Sequence, residues 1–542
     1  MNQEVIRVED LTLHYEERQK PVLSRLNFCV EEGENLLILG PSGSGKSSLT
    51  HCLNGLYPRE LDGSMDGEVH VKGRRTDSYP AGEMAQNVGV VFQDPETQFC
   101  MITVEDEVAF GLENLNTPYA SMVEKVDTAL RSVGMEDYKT ANISELSGGQ
   151  KQKVALACIL AMEPEVLILD EPTANLDPVA RKEFIQLLKT LKKELSFTLL
   201  VIEHKLEGWL DLLERVLIIN GDGELAYDGP LHDRLITYAR EIHEMGIQLP
   251  YATRTALERG WTPPYPLHIE EMPPPASLQE NPRPAEHKNE ELLKVENVHW
   301  KSILRNINVT FHEGEWVAIV GENGSGKSSL SRILAGIQSP SMGTVSLGGR
   351  SLKKWKENDL RQEVGYVFQN PEHQFIADAV YDEVAFSLQH AGMKEAEWTR
   401  IVEEILKFCR LDGLEDQHPF LLSQGQKRRL SVATMIIEDQ RLLFLDEPTF
   451  GQDEKSTSDL MSLLKENNEN GTTIVMITHD MELVDKYATR VLVMNEGELT
   501  FDDRPERLWS RSDLADHHLE LPPREQWKRS VLKRKEPAYV SS

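Results

Sequence analysis

Residues 40–47 read GPSGSGKS and residues 321–328 read GENGSGKS. Both fit G-x-x-x-x-G-K-S, a loop whose backbone N–H groups cradle phosphate oxygens. Each loop is preceded by a short apolar run, NLLILG or WVAIVG. A buried strand that ends in such a loop and continues as a helix predicts a βα unit of a parallel sheet. The same landmarks then follow each loop in the same order. They are Gln93 and Gln369, LSGGQ at 146–150 and LSQGQ at 422–426, LILDEPT ending at Thr173 and LFLDEPT ending at Thr449, and His204 and His479. The second set follows the first at a nearly constant offset of roughly 275 to 281 positions, which marks an internal duplication.

Composition narrows the function classes. The 542 residues carry a formal charge of −31. Nucleic acid is not expected as a partner, because phosphate neutralisation needs Lys and Arg in excess. Electrostatic binding to anionic lipid is disfavoured for the same reason. Cys29, Cys52, Cys100, Cys158 and Cys409 are scattered without CxxC spacing and read as reduced thiols of a cytosolic protein. The polar start MNQEVIRVED shows no signal peptide. No apolar run approaches the roughly 18 residues needed to cross a bilayer, so any spanning part belongs to another chain.

The duplication divides the chain into a first cassette over residues 1–246, a linker over 247–290 with a short helical segment, a second cassette over 291–508 and a tail over 509–542. Residues 261–289 are rich in Pro and Glu and predict an extended, solvated linker. The tail, with Lys528, Arg529, Lys533, Arg534 and Lys535, predicts a solvated, partly disordered end. Within each cassette, apolar runs such as EVLILD, TLLVIEH, RLLFLD and TTIVMITH alternate with helical stretches, as in a mostly parallel sheet covered on both faces.

The motifs carry a specific chemistry. Gly40, Gly43 and Gly45 let the backbone curl around phosphate, Lys46 supplies positive charge, and the Ser47 hydroxyl suits magnesium; Ser48 follows in the same turn. Gly321, Gly324, Gly326, Lys327, Ser328 and Ser329 repeat the set. Asp170 and Asp446 end apolar strands, which places a carboxylate at the magnesium site. Glu171 and Glu447 follow directly and suit a group that orients or deprotonates an attacking water. Gln93 and Gln369 are candidates to sense metal or water, and His204 and His479 to hold the γ-phosphate.

This set resembles an ATP-binding cassette (ABC) ATPase with two nucleotide-binding domains fused in tandem. The resemblance implies an α/β fold of two tandem P-loop NTPase cassettes, each with a mostly parallel sheet core, an antiparallel β part and a helical signature subdomain. It implies ATP and Mg2+ as ligands, the fused cassettes forming an intramolecular pseudo-heterodimer with two composite sites. One would pair Lys46 with Ser423, Gly425 and Gln426. The other would pair Lys327 with Ser147, Gly148, Gly149 and Gln150. Asp177 and Asp453 match the family's D-loop aspartate, and Tyr15 the aromatic that stacks on adenine. The copies differ: Gln424 replaces a glycine, FGQD stands where the first copy has ANLD, and Trp300 is shifted by two positions from the place matching Tyr15. Both glutamates and both histidines are present, so both sites are expected to hydrolyse ATP.

After each glutamine both copies share FQ-x-P-E-x-Q-F and then DEVAF. This is similar to the ATPases of energy-coupling factor (ECF) importers, which energise uptake of vitamins and metal ions. The resemblance implies a membrane T-component and a substrate-binding S-component as partners, at the cytoplasmic face of the membrane. In this reading Asp106, Glu107, Asp382 and Glu383 meet the membrane partner, with Phe99 and Phe375 lining the groove floor. The two-cassette fusion resembles ATPases of hydroxymethylpyrimidine/thiamine systems. The alternatives are a fused sugar-importer ATPase or a tandem cassette without a transport role, such as a translation factor or DNA-repair ATPase. Those would bring one degenerate site, or a basic linker and zinc motifs.

Overall fold

The computed structural model describes residues 3–15, 20–80, 82–174, 176–274, 290–390, 395–437 and 440–535. It separates into two compact units, residues 1–176 with 180–271, and residues 177–179 with 272–542.

Among the described residues, each unit holds a six-stranded sheet and a four-stranded sheet. In the first unit the large sheet runs Leu225–Pro230, Arg215–Ile219, Asn35–Leu39, Thr198–Ile202, Val166–Asp170, Val88–Val91. All neighbours are parallel except the outermost pair, Leu225–Pro230 with Arg215–Ile219. The second unit repeats this with Glu498–Asp503, Arg490–Asn495, Trp316–Gly321, Thr473–Ile477, Leu442–Asp446, Val364–Val367. The smaller sheets are antiparallel and contain Glu4–His14 and Glu291–Trp300.

The apolar strands are continuous because both sheet faces are covered. Successive side chains point to opposite faces. Leu37, Leu39, Leu167, Leu169, Leu199 and Val201 join the core under the helices. Their neighbours Leu36, Ile38, Val166, Ile168, Leu200 and Ile202 join the core toward the antiparallel sheet. A helical layer holds Val104–Asn114, Tyr119–Ser132 and Gly148–Ala161 in one unit, and Val380–His390, Glu395–Phe408 and Gln424–Ile436 in the other. The expected fold class is therefore the observed one. No helix among the described residues is long and apolar enough to cross a membrane.

Two sequence expectations are corrected. The stretch from Trp261 onward is not wholly extended and solvated. Helix Tyr251–Glu258 and the segment after it fold back, burying Leu249, Ala256, Tyr265 and Leu267 in the first unit's core. Apolar side chains between the prolines supply the contacts that composition alone concealed. Residues 275–289 lie outside the described residues.

The described part of the tail, residues 509–535, is also structured. Helix Pro523–Lys535 docks on helix Met481–Tyr487 through an ion pair of Arg524 with Asp485 at 2.8 Å. Trp509 donates its indole N–H to Asp485 at 3.0 Å, and Arg529 donates to the Trp509 carbonyl. Trp527, 1% exposed, donates to the Pro273 carbonyl at 3.2 Å. Lys528 pairs with Glu525, and Arg534 donates to the Met272 carbonyl at 3.1 Å. The side chains of Lys533 and Lys535 lie outside the described residues. Charge dominated the sequence reading of this segment, while two buried tryptophans anchor it. Trp527→Ala should destabilise the second unit by about 3–5 kcal/mol, the range for deleting a buried large aromatic. Denaturant unfolding measures this; a change within about 0.5 kcal/mol would return the tail to the surface class.

Candidate active site

Each phosphate-binding loop turns directly into a helix, Lys46–Leu53 or Lys327–Leu334. The residue before each helix is a glycine in the left-handed region, Gly45 at φ 91° and Gly326 at φ 99°. A side chain there would also collide with its neighbours: a Cβ on Gly45 would lie 2.8 Å from the Val22 carbonyl, and one on Gly326 2.7 Å from Leu304. The first-turn N–H groups and the helix dipole face the loop's hollow, where an anion is stabilised. Lys46 is buried and donates to the Gly40 and Pro41 carbonyls at 2.8 and 3.0 Å. Lys327 does the same to Gly321 and Glu322 at 2.9 and 2.7 Å. These ammonium groups hold the loop closed and lie where incoming phosphate oxygens can take over the carbonyls' role.

Strand register brings the acids to the histidines. Asp170 pairs with Ile202, and Asp446 with Ile477. The next residues, Glu171 and Glu447, donate their N–H to the Ile202 and Ile477 carbonyls at 2.9 and 3.1 Å. The chain then leaves each strand through a left-handed residue, Glu171 and Glu447 both at φ 47°. That conformation costs a non-glycine residue on the order of 1 kcal/mol or more, and it aims the carboxylate sideways. His204 Nε2 lies 3.0 Å from Glu171 Oε1, and His479 Nε2 3.3 Å from Glu447 Oε1. Gln93 donates its amide to Glu171 Oε2 at 2.9 Å. Burial pushes the Glu171 carboxyl up, but His204 and Lys46 outweigh it and leave it below the ordinary range. It is thus held as the anion, a group able to accept hydrogen bonds.

The donor set beside the loop fits a hard cation. Ser47 hydrogen-bonds Asp170, whose own carboxyl is pushed up to about 6 by burial. Asp170 Oδ1 is buried without a hydrogen-bond partner among the described residues. A buried, unsatisfied carboxylate oxygen next to a hydroxyl is the ligand geometry that magnesium would complete. In the second unit Ser328 donates to Asp446 Oδ1 at 3.1 Å and Tyr366 donates to Asp446 Oδ2 at 3.2 Å.

The repeated FQ-x-P-E-x-Q-F segment ties this site to the signature helix. Asp94 and Asn370 cap a short helical turn opened by Pro95 or Pro371. Gln98 accepts the Phe92 N–H at 3.0 Å and donates to the Val90 carbonyl at 3.0 Å, which clamps the loop holding Gln93. Gln374 accepts from Phe368 at 3.2 Å. Glu96 pairs with Lys151, and Glu372 with Lys427 at 2.6 Å. These lysines directly follow Gln150 and Gln426. At the signature itself, Ser147 and Gln150 form a reciprocal capping box, as do Ser423 and Gln426. Each serine oxygen accepts a backbone N–H and keeps its own proton to donate elsewhere. Gly148 and Gly149 lie in the first turn of this helix. Gly425 is confined because a Cβ there would lie 2.6 Å from Ser456 Oγ. The Gln424 side chain lies outside the described residues.

Other predicted residues fall as follows. Tyr15 is half-buried, with its hydroxyl 2.6 Å from Ser48 Oγ and its ring 6.0 Å from Tyr57. Trp300 pairs with Leu304 as Leu13 pairs with Leu23, so it occupies the Leu13 position and Ser302 that of Tyr15. Asp453 caps helix Glu454–Glu469, and Asp177 accepts the Val179 N–H at 3.1 Å. Around Gln369, Arg428 donates to the Phe368 and Gln369 carbonyls at 2.5 and 2.6 Å.

The acids expected at a partner surface divide. Glu107 turns inward and accepts the Cys100 and Met101 N–H groups at 2.9 and 2.6 Å. Glu383 accepts from Ile376 and Ala377 at 2.8 and 2.7 Å. Both are buried braces of the preceding turn, so they are not available to meet a basic partner. Asp106 bonds Thr103 at 2.5 Å and stays exposed, as does Asp382. What the braced turns present instead are Ile102, 70% exposed, and Ile376, 64% exposed. Phe99 packs on the core and Phe375 is buried, edge-on to the exposed Phe420. Sequence reasoning missed the two isoleucines, which do not match between the copies: Ile376 directly follows Phe375, whereas Ile102 comes three residues after Phe99.

A family model described as ABC transporter matches residues 23–174 and 304–450. The putative HMP/thiamine import ATP-binding protein YkoD of Bacillus subtilis (strain 168) is 45% identical over 521 residues, covering 94% of this chain and 93% of its own. A putative ABC transporter ATP-binding protein of Methanosarcina mazei is 36% identical over 544 residues, covering 96% of this chain and 92% of its own. Among solved structures, cbiO1 from Clostridium perfringens, part of the ABC transporter complex cbiONQ, is 31% identical, spans 45% of this chain and 100% of its own, and has a TM-score of 0.39.

Glu203, next to His204, was not singled out from the sequence. It is buried, accepting the Thr173 hydroxyl and N–H at 2.6 and 3.2 Å and the His204 N–H at 3.3 Å. Burial pushes its carboxyl up to about 7. The folded state therefore favours the protonated form, and the stability this lends is complete below the ordinary glutamate range and lost as pH rises through about 7. Glu203→Gln keeps the acceptor and cannot ionise. At pH 8.5 the variant should be more stable than the parent by up to about 3 kcal/mol, with the advantage vanishing near pH 4. Thermal unfolding across that range checks it; equal midpoints at pH 8.5 would contradict it.

Proposed function

Because the chain belongs to the ABC transporter family and is an ABC ATPase, we propose that it is the ATP-hydrolysing subunit of an ECF-type importer. It energises uptake of a small solute, with a vitamin precursor of the hydroxymethylpyrimidine/thiamine class the first candidate. The import assignment draws on the 45% identity to a protein named for HMP/thiamine import. The observation that carries the ECF reading is the duplicated FQ-x-P-E-x-Q-F segment, after which each unit exposes an isoleucine at a different step, Ile376 directly after Phe375 and Ile102 three residues after Phe99.

In this reading each cassette contributes one half of two composite ATP sites. Lys46 with Gly40, Gly43, Gly45, Ser47 and Ser48 binds one triphosphate, completed by Ser423, Gly425 and Gln426. Lys327 with Gly321, Gly324, Gly326, Ser328 and Ser329 binds the other, completed by Ser147, Gly148, Gly149 and Gln150. The free serine proton and the helix N-terminus of each signature suit a γ-phosphate. Ser47, Asp170 and Gln93, or Ser328, Asp446 and Gln369, would hold Mg2+, which offsets phosphate charge during transfer. Glu171 and Glu447 orient the attacking water and accept its proton, while His204 and His479 hold each glutamate in place and reach the γ-phosphate. Tyr15 stacks on the first adenine.

The membrane partner is a T-component working with a substrate-binding S-component, and the chain acts at the cytoplasmic face as a peripheral subunit. Ile102 and Ile376 dock against apolar residues of the T-component's coupling helices. Exposed large apolar residues on a rigid turn suit such a contact. Ile102→Glu and Ile376→Glu leave the buried braces Glu107 and Glu383 intact. Each should reduce co-purification with the membrane subunits by at least about tenfold, since losing a central apolar anchor costs about 1.4 kcal/mol or more. Basal ATPase activity should persist. Undiminished assembly of both variants would refute the docking assignment.

A further inference from the structure

We infer that Tyr366 positions Asp446 for the divalent cation of the second cassette, and that the first cassette, with Val90 in its place, binds its cation less tightly. The inference rests on the nucleotide–magnesium reading of these sites.

Tyr366 lies on strand Val364–Val367, in register with Phe444. Its ring is buried, edge-on to Phe368 at 4.7 Å and stacked near Phe444 at 6.4 Å. That packing leaves the phenol little freedom. Its oxygen is 3.2 Å from Asp446 Oδ2 and 3.0 Å from Ser331 Oγ, on the helix that starts at Lys327. Ser328, on the same helix, holds Asp446 Oδ1 at 3.1 Å. The carboxylate is thereby pinned from both oxygens by groups anchored to the strand and to the loop helix. A phenol is a donor here, so it supports the ionised carboxylate that a cation requires.

The first cassette has the same strand, loop helix and acid but not the phenol. Val90 is in register with Ile168, as Tyr366 is with Phe444. Val90 offers no donor, and Thr50, at the position of Ser331, turns its hydroxyl to the Lys46 carbonyl at 3.5 Å. Asp170 keeps its bond to Ser47, but its Oδ1 finds no partner among the described residues. There the cation must itself order the carboxylate, whereas in the second cassette that ordering is already complete. Pre-organised ligands bind with less entropy loss. Tyr366 acts through its bond to Asp446, so it is a positioning residue.

The test titrates Mn2+ into the full chain with a non-hydrolysable ATP analogue and follows bound Mn2+ by electron paramagnetic resonance. The native chain should show two classes of site. Tyr366→Phe, which preserves the packed ring, should weaken the tighter class by about tenfold, the size of one lost hydrogen bond to a charged group, and leave the weaker class unmoved. Binding of the analogue in EDTA should not change. Val90→Tyr should tighten the weaker class. Unchanged Mn2+ affinities in a folded Tyr366→Phe chain, equal shifts in both classes, or a Val90→Tyr chain that folds without tightening the weaker class would overturn the inference. Two nucleotide-dependent sites in the native chain would still uphold the ATPase reading in those cases. Absence of any protein-bound Mn2+ with the analogue would overturn both.

Discussion

The pairing of the strand that ends at Asp170 with the strand that ends at Ile202, repeated as Asp446 with Ile477, sets where the candidate reacting groups stand. Parallel strands end side by side, so residues just past their ends are neighbours although far apart in sequence. One more step along the first strand gives Glu171, and two more along the second give His204. A third strand, paired as Val91 with Leu169, delivers Gln93 to the same place. A slip by one residue would turn each side chain to the opposite face and bury the carboxylates in apolar surroundings. The apolar strands that fill both cores are thus also what fixes the site.

Against that shared frame the two copies differ at its supports. The first cassette braces the His204 backbone with a buried acid, Glu203, where the second has Thr478. The second holds its glutamine loop with Arg428 and its metal-site acid with Tyr366, where the first has Gln152 and Val90. None of these residues belongs to the phosphate-binding motifs, and all are buried. The asymmetry therefore lies in how firmly the same groups are held, with the reacting groups themselves retained in both.

Much of this was legible in the sequence because duplication repeats every landmark. Continuous apolar runs reported strands buried on both faces, and glycines at fixed spacing reported the loops. The groups that escaped notice are supports whose role depends on a partner distant in the chain. Glu107 and Glu383 looked like a charged surface pair, because a carboxylate in a helix's first turn is usually solvated; only the fold shows them capping the preceding turn. Tyr366 read as an ordinary strand residue, since nothing local predicts a bond to Asp446, eighty positions later. The tail and the segment before residue 275 differ from their sequence reading for the opposite reason. Their Pro and charge content hid a few large apolar side chains, Trp509, Trp527, Tyr265 and Leu267, that suffice to dock them.

In the proposed function, one chain carries two complete, metal-dependent ATP sites. Counting trapped nucleotide in a chain carrying both Glu171→Gln and Glu447→Gln tests it most directly, since removing both water-orienting carboxylates should stall hydrolysis with nucleotide in place. Calorimetry should count two MgATP per chain. A single nucleotide per chain would contradict it.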